Sequence, residues 1–360
     1  KNRLFCFMPF FINRTGHEGS FLSSLVKVGK SIDKKILLIL PDKNKIKFRS
    51  VKNYKILKIN KFKNVIFLFL FIKNILIIKN FLRLKKINKN DKIYIDGHNL
   101  LFLLIFAIIS FVFKNNLSLI IFCRYKFNGI KSTIFKLTIK YIYKNTSNLQ
   151  ILTDTDLIKK NYLQKFIKQV YLMPIPHTFK NTKYKKNQIK DKINLFFPGK
   201  YRNDKFSKNF KLFVKKNNSR KLRFLITKKV NFENNKKFKT LKINDNLSRE
   251  DYLRYFLKSN FIILPYESKD YKYRSSGIFV ESISLRKIVL VSVNTWMSKE
   301  LKKHNLSELI VHDWNNFEIF KFIKNYNHQK IDKKLKIMQK KYLTFHNEKN
   351  FHLIMSKSIN

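Results

Sequence analysis

The sequence is constrained most by a regular alternation of short, almost continuous apolar runs with longer segments of helical periodicity. The apolar runs at residues 3–8, 35–40 and 92–96 are separated by segments such as 18–31, in which apolar residues recur every three or four positions. Strands buried on both faces are apolar throughout, and strands that alternate with helices are typical of parallel sheets. The sequence therefore predicts an α/β protein with parallel sheets.

The alternation is interrupted by a polar, lysine-rich stretch at residues 179–191 and then starts again. We interpret this stretch as a linker between domains. A chain of 360 residues is long enough for two domains at ~150 residues each. We expect an N-terminal Rossmann-like domain at 1–178, a C-terminal one at 192–330, and a closing helix with a tail at 331–360.

Two segments are apolar enough to raise the question of a membrane. Residues 100–113 are shorter than the ~20 residues that a spanning helix needs, so we predict a buried helix there. Residues 65–82 are interrupted by Lys73, Asn74 and Lys79. A helix packed on the core is the favoured interpretation, and a helix lying in a membrane surface is the alternative.

The net charge is +55, with 77 Lys and Arg against 22 Asp and Glu. Such a surface attracts the phosphate groups of nucleic acids or of an anionic membrane. The other interpretation is compositional bias, because Lys, Asn, Ile and Phe are all abundant. Lysines spread along the whole chain favour bias, since nucleic-acid binders concentrate their charge on one stripe.

The two cysteines, Cys6 and Cys123, each lie in an apolar run. We predict buried, reduced thiols that form neither a disulfide framework nor a metal site. This use of cysteine fits a cytoplasmic protein, with the inner face of the membrane as the alternative location.

A candidate anion site follows the apolar run at 261–264. Ser275, Ser276 and Gly277 are small residues that open a predicted helix, where unpaired N–H groups and the helix dipole favour an anion. Glu281 lies one turn further along, and a carboxylate there can accept two hydrogen bonds from a ribose diol. These residues predict a nucleotide site. The alternative is an ordinary capped helix with an exposed glutamate.

A second candidate segment follows the apolar run at 194–197. Gly199 begins a turn, and Arg202 and Lys205 come directly after it. Two cations beyond the carboxyl end of a strand suit a diphosphate. The alternative for either residue is solvated surface, since this chain has so many basic side chains.

Together these segments resemble the glycosyltransferase group 1 family, also called family 4, which has the GT-B fold. Gly199, Arg202 and Lys205 match the family's Gly-x-x-Arg-x-x-Lys-like motif, and the resemblance implies that the two cations contact the donor diphosphate. It also implies that Glu281 holds the nucleotide ribose after the serine-rich turn. The implied architecture is two facing Rossmann-like domains with a cleft between them.

The N-terminal half carries further points of resemblance. His17 lies in a Gly-His turn like the one that faces the sugar acceptor in the family, and His98 follows a strand like the histidine near the transferred sugar. The resemblance makes both histidines catalytic candidates. The chain departs from the family at Tyr273, where an acidic residue is frequent, and at Arg286, where glycine is usual. Glu267 or Asp270 is an alternative source of the missing carboxylate.

The resemblance implies a glycosyltransferase that moves a sugar from a nucleotide-sugar donor to a cell-surface glycan or lipid-linked acceptor. The high positive charge adds the expectation of peripheral contact with an anionic membrane. The donor is a substrate, and no cofactor is expected. We predict no metal site, because Asp154-Thr155-Asp156, which imitates a metal-binding Asp-x-Asp, precedes a helix that it is suited to cap. The alternatives are a basic nucleic-acid-binding protein and a GT-B protein that binds without turnover.

Overall fold

The computed structural model describes residues 2–9, 11, 17–44, 51–58, 64–97, 99–176, 178, 192–199, 208–228, 239–244 and 247–359. Side chains are described for all of these except residues 17–18, 64–68, 208 and 239. The chain divides into two compact units. Unit 1 comprises Lys1–Pro176 and Glu348–Asn360, and unit 2 comprises His177–Asn347.

Helices and strands alternate in both units. Unit 1 contains β1 (Arg3–Phe7), α1 (His17–Ser31), β2 (Lys35–Pro41), β3 (Lys52–Leu57), α2 (Asn64–Leu84), β4 (Lys92–Asp96), α3 (Leu100–Phe113), β5 (Ser118–Phe122), α4 (Ile130–Lys144), β6 (Asn148–Thr153), α5 (Asp156–Asn161) and β7 (Val170–Leu172). Unit 2 contains β8 (Ile193–Phe196), α6 (Lys208–Lys216), β9 (Leu222–Thr227), β10 (Lys239–Ile243), α7 (Arg249–Lys258), β11 (Phe261–Leu264), α8 (Ser268–Tyr271), α9 (Gly277–Ser284), β12 (Ile288–Ser292), α10 (Trp296–Lys303), β13 (Ile310–Val311), α11 (Ile319–Asn325) and α12 (His328–Phe345). A last helix, α13 (Glu348–Ile359), belongs to unit 1.

The sheet of unit 1 is parallel and has the strand order β3-β2-β1-β4-β5-β6-β7. Alternate side chains of β1, an interior strand, point to opposite faces of the sheet. Phe5 packs on Phe81 of α2, and Phe7 packs on Phe106 of α3. Cys6 lies in the core that contains residues of α1 and α13. Both faces of the sheet are therefore covered, which explains why its strands are apolar throughout.

The helix α13 completes one of these faces. Its Phe351 ring packs against Phe21 of α1 with centroids 5.2 Å apart, and Lys27 forms an ion pair with Glu348 at 2.7 Å. The segment expected as a closing helix and tail, 331–360, consists of most of α12 in unit 2 followed by α13 in unit 1.

The sheet of unit 2 is also parallel and has the order β10-β9-β8-β11-β12-β13. The chain moves outward from β8 to β9 and β10, and then returns to place β11 on the other side of β8. Aromatic packing fixes the helices on this sheet, with Phe197 against Phe210 of α6 and Phe196 against Phe256 of α7. The reversal of strand order leaves the carboxyl ends of β8 and β11 side by side.

Helix α7 begins at a side-chain cap. Ser248 is its N-cap residue, and the Ser248 hydroxyl accepts a hydrogen bond from the N–H of Asp251 at 3.0 Å. Residues 155–167 do not form one helix, because α5 ends at Asn161 and a 3₁₀ turn follows at Leu163–Lys165. The ring of Tyr162 stacks on Phe135 of α4 at that point, and this contact replaces the continued helix.

The prediction of buried thiols is confirmed. Cys6 and Cys123 are free and buried, and burial raises the pKa of both well above the ordinary value. None of the helices within the described ranges combines the length and hydropathy that a bilayer span requires.

Candidate functional site

The candidate site in unit 2 lies where its strand order reverses. Phe261 of β11 pairs with Leu195 of β8, and Ile262 pairs with Phe196, so the two strands end beside each other. In open α/β sheets ligands bind outside the carboxyl ends of the strands at such a reversal. The two segments singled out in the sequence, after β8 and after β11, both leave the sheet at this edge.

The turn after β8 needs a glycine. Gly199 has a φ of 106°, in the left-handed region that residues with a side chain rarely adopt. The backbone is thereby turned at the carboxyl end of the strand without a side chain over the edge. The predicted diphosphate ligands Arg202 and Lys205 lie outside the described residues.

The segment after β11 starts α9 where the sequence predicted a helix. Ser276 is the N-cap residue, and its hydroxyl accepts a hydrogen bond from the N–H of Phe279 at 3.2 Å. Ser275 and Gly277 are buried beside it. The three residues that lead into the helix have small side chains, so the backbone N–H groups at its start are the anion-binding donors that this segment offers.

Glu281 is fully buried on α9. Its Oε1 accepts a hydrogen bond from Arg249 Nη1 at 2.6 Å, and its Oε2 accepts one from the hydroxyl of Tyr252 at 3.0 Å. Both partners come from the first turn of α7, and the Arg249 side chain keeps 43% of its surface exposed. The alternative in which Glu281 is exposed is therefore wrong. The carboxylate is instead buried and oriented by two donors.

The partners of Glu281 are residues of the candidate site that the sequence did not reveal. Burial, followed by the negative charge of Glu281, raises the pKa of Tyr252 well above its ordinary value, so its hydroxyl stays a donor. Arg249 and Tyr252 precede Glu281 by 32 and 29 positions. The signal that was available is Ser248, which caps α7 and fixes where its first turn begins.

At Arg286 the chain departs from the glycine that is usual in the family, but the turn at the end of α9 is of the usual kind. Arg286 has a φ of 53° and donates its N–H to the carbonyl of Ile283, while Lys287 donates its N–H to the carbonyl of Ser282. This pattern is a Schellman motif, in which glycine is the usual left-handed residue. The Arg286 side chain forms an ion pair with Asp332 of α12, which ties the end of α9 to that helix.

At Tyr273, the other departure, an aromatic ring takes the place of the frequent carboxylate. The ammonium groups of Lys272 and Lys299 each lie 5.8 Å from its ring centroid. The two alternative carboxylates lie nearby in sequence, with Glu267 directly before α8 and Asp270 exposed within it.

In unit 1 the described residues flank the two candidate histidines. A Cβ on Gly97 would lie 2.9 Å from the carbonyl oxygen of Phe122, so the residue before His98 must be glycine. Asn99 caps α3 and accepts a hydrogen bond from the N–H of Leu101 at 2.8 Å. His98 lies outside the described residues. His17 is the first residue of α1, and its side chain also lies outside them.

The segment that imitates a metal-binding Asp-x-Asp has other partners. Thr155 caps α5 and accepts a hydrogen bond from the N–H of Ile158 at 3.2 Å. The carboxylate of Asp154 accepts one from Arg124 Nε at 2.6 Å. In the part of the chain that the structure describes, no three His, Cys, Asp or Glu residues are grouped to hold a metal ion.

Comparison with known proteins finds similarity of structure and not of sequence. No family model and no curated protein matches the chain. The solved structure titled trehalose-6-phosphate from E. coli, bound with UDP-2-fluoro glucose, is 11% identical with a TM-score of 0.67, covering 100% of this chain and 99% of that one. Trehalose-6-phosphate synthase OtsA is 11% identical with a TM-score of 0.67, covering 99% of each chain.

A third similar structure is the glycosyltransferase SnogD from Streptomyces nogalater, which is 7% identical with a TM-score of 0.59 and full coverage of both chains. At these identities the likeness is one of fold. It extends over both parallel sheets and over the whole chain. The chain therefore has the GT-B fold of these glycosyltransferases.

Proposed function

We propose that the chain is a glycosyltransferase of the group 1 type that binds a nucleotide-sugar donor in unit 2. The observation that carries the proposal is Glu281, a fully buried carboxylate on the helix that follows the strand-order reversal. A buried charge is costly and needs partners, and this one is supplied with two donors that aim both of its oxygens. Such a carboxylate is suited to accept a hydrogen bond from a ribose hydroxyl.

The two partners of Glu281 have different parts in donor binding. Tyr252 is buried and would hold one carboxylate oxygen throughout. Arg249 is partly exposed, and a ribose hydroxyl would replace it on the other oxygen. The displaced guanidinium would then be available to the phosphate groups of the same donor.

The diphosphate would be stabilised by charge alone. We propose that Arg202, Lys205 and the N–H groups of the first turn of α9 bind it, as the family resemblance implies. When the bond to the sugar breaks, negative charge develops on the leaving diphosphate, and donors already oriented towards it lower the barrier without a metal ion. His98 and His17 would act on the acceptor side, close to the transferred sugar.

We propose that unit 1 receives a cell-surface glycan or a lipid-linked acceptor in the cytoplasm. The sequences of α2 and α4 contain basic residues, and none of α2, α3 and α4 contains Asp or Glu. A phosphate-bearing acceptor would be attracted to such a surface, which favours a lipid-linked acceptor over a neutral one.

The donor site is tested by thermal unfolding of the full chain with UDP, GDP, ADP or CMP. A nucleotide at 100 times its dissociation constant adds about 2.7 kcal/mol to the free energy of unfolding. We expect one nucleotide to stabilise the wild type and to lose most of this effect in Glu281→Gln, which keeps the size of the side chain and removes its charge.

The matched control is Glu300→Gln. Glu300 also accepts from a cation and a tyrosine, Lys303 at 2.6 Å and Tyr342 at 2.9 Å, but it lies on α10. The control should keep the full response. Equal loss in both variants, or an unchanged response in Glu281→Gln, would refute the assignment of the ribose site. Binding of a nucleotide-sugar donor, without transfer of its sugar to any acceptor extract and without release of nucleoside diphosphate, would support the alternative of a non-catalytic GT-B protein.

A further inference from the structure

The helices α2, α3 and α4 form one layer on unit 1. They cover one face of its sheet, and α3 packs against both of the others. The sequences of these three helices hold no Asp or Glu. We refer to their solvent-exposed side chains as the basic–apolar face.

On α2 the exposed side is apolar and is bordered by cations. Phe69, Ile72 and Leu76 recur at helical spacing and are each about half exposed or more. The ammonium group of Lys73 lies 5.4 Å from the centroid of the Phe69 ring. The opposite side of the same helix is buried against the sheet through Phe81. The exposed stripe is therefore additional to the core-facing one.

The middle helix of the layer, α3, continues the apolar surface. Its sequence contains no charged residue, yet Ile108, Phe111 and Val112 are exposed. Lys114 follows the helix, with its ammonium 5.9 Å from the Phe111 ring centroid. A helix of this composition is normally buried all round, so these exposed side chains mark a surface that water does not favour.

On α4 the exposed stripe is the longest. Ile130, Ile134, Leu137 and Tyr141 follow one another at intervals of four, three and four residues, as one side of a helix does. Exposed lysines stand beside the stripe at positions 131, 136, 140 and 144. α2 and α4 thus combine exposed aliphatic or aromatic groups with cations, α3 adds exposed apolar groups with Lys114 at its end, and none of the three helices contains an anion.

We propose that the basic–apolar face binds the surface of an anionic lipid bilayer. Aliphatic side chains enter the boundary between headgroups and acyl chains, and lysines extend beside them to the phosphates. Charge complementarity selects this partner, since each lysine near an anionic membrane adds favourable free energy. A second copy of the chain would oppose lysines to lysines, and a nucleic acid would leave the aliphatic stripes in contact with water.

The proposal concerns unit 1 alone and does not depend on the donor site in unit 2. It is tested by co-sedimentation of the full chain with vesicles, without nucleotide. One set of vesicles is phosphatidylcholine alone, and the other contains phosphatidylglycerol. We expect binding to the anionic vesicles that is at least roughly tenfold tighter. Equal binding to both sets would overturn the proposal.

Two pairs of matched variants separate this face from the net charge of +55. Lys136→Glu with Lys140→Glu should weaken binding roughly tenfold or more. Lys340→Glu with Lys341→Glu, on exposed positions of α12, changes the net charge equally and should have little effect. Equal losses in the two pairs would overturn the proposal.

The apolar contribution is tested by Leu137→Ser, with Leu353→Ser on α13 as its control. These leucines are 62% and 53% exposed, so neither change should unfold the chain, which circular dichroism verifies. Leu137→Ser alone should weaken vesicle binding, by about tenfold if the side chain is inserted. An unchanged affinity would overturn insertion. An RNA homopolymer that binds this face more tightly than the vesicles would assign it to nucleic acid instead.

Discussion

At the scale of single residues, the carboxylate of Glu281 depends on two donors of unequal exposure. Tyr252→Phe removes one of them while its ring keeps its place against Phe256. Because a buried acceptor loses a partner, we expect the free energy of unfolding to fall by about 1–2 kcal/mol. The chain has two tryptophans, Trp296 and Trp314, and both lie buried in unit 2, so their fluorescence reports its unfolding.

Tyr342→Phe is the control for that change. Its hydroxyl donates to Glu300 at 2.9 Å, and the Glu300 side chain retains 12% exposure, so water can replace the lost donor. The control should cost less than Tyr252→Phe and should leave nucleotide binding unchanged. Equal costs would mean that Tyr252 is not a principal partner of the buried carboxylate.

Lys287 makes the free energy of unfolding of unit 2 change with pH in the alkaline range. Burial lowers the pKa of its ammonium group from 10.5 to about 8, although Nζ donates to the carbonyl oxygens of Leu257 and Ser259. Below pH 8 both folded and unfolded chains carry the proton, and the full cost of the buried charge is present. Between pH 8 and 10.5 the unfolded chain binds more protons, so the free energy of unfolding rises with pH.

The measurement compares wild type with Lys287→Met by urea unfolding at pH 7.5 and 10. The difference in stability should shift in favour of the wild type by about 2 kcal/mol between these values. The comparison removes the effect of other titrating groups, which both proteins share. A difference that is constant with pH would contradict the lowered pKa.

The sequence was sufficient to identify Ser276 and Glu281, because both residues fall within one short segment that resembles a nucleotide-binding motif. Residue patterns could not identify Arg249 and Tyr252, since partners brought together by packing leave no periodicity in the sequence. The alternative interpretation, in which the Glu281 side chain is exposed, was wrong for the same reason.

At the scale of elements, the end of α9 tests what the family's glycine contributes. Arg286→Gly and Arg286→Ala both remove the ion pair with Asp332, so their difference isolates the left-handed backbone. The free energy of unfolding of Arg286→Gly should exceed that of Arg286→Ala by about 1 kcal/mol, because a Cβ is disfavoured at positive φ. Urea unfolding followed by tryptophan fluorescence measures this difference. Equal stability of the two variants would show that the turn relaxes.

Element starts were predictable where a side chain caps the helix. Thr295 caps α10 through a reciprocal pair with Ser298, and Ser248 and Ser276 act similarly on α7 and α9. The short elements α8 and β13 were not predicted, because packing and not local chemistry decides them.

At the scale of the whole molecule, the alternation of apolar runs was sufficient to predict two α/β halves with parallel sheets. The return of α13 to unit 1 was not predicted. The sequence of α13 is that of any short amphipathic helix. Where α13 packs is determined by the apolar side of α1, which it covers. Long-range pairing of this kind is invisible to a reading of neighbouring residues.

That return has a consequence for how the protein is made. The ribosome synthesises β1 to β7 before unit 2, but α1 lacks the covering provided by Phe351 and Met355 until α13 emerges. Residues 177–347, which form the other unit, precede α13 and leave the exit tunnel before it. Unit 1 is thus begun before unit 2 and completed after it, and the nascent chain carries an uncovered apolar side of α1 throughout the synthesis of unit 2.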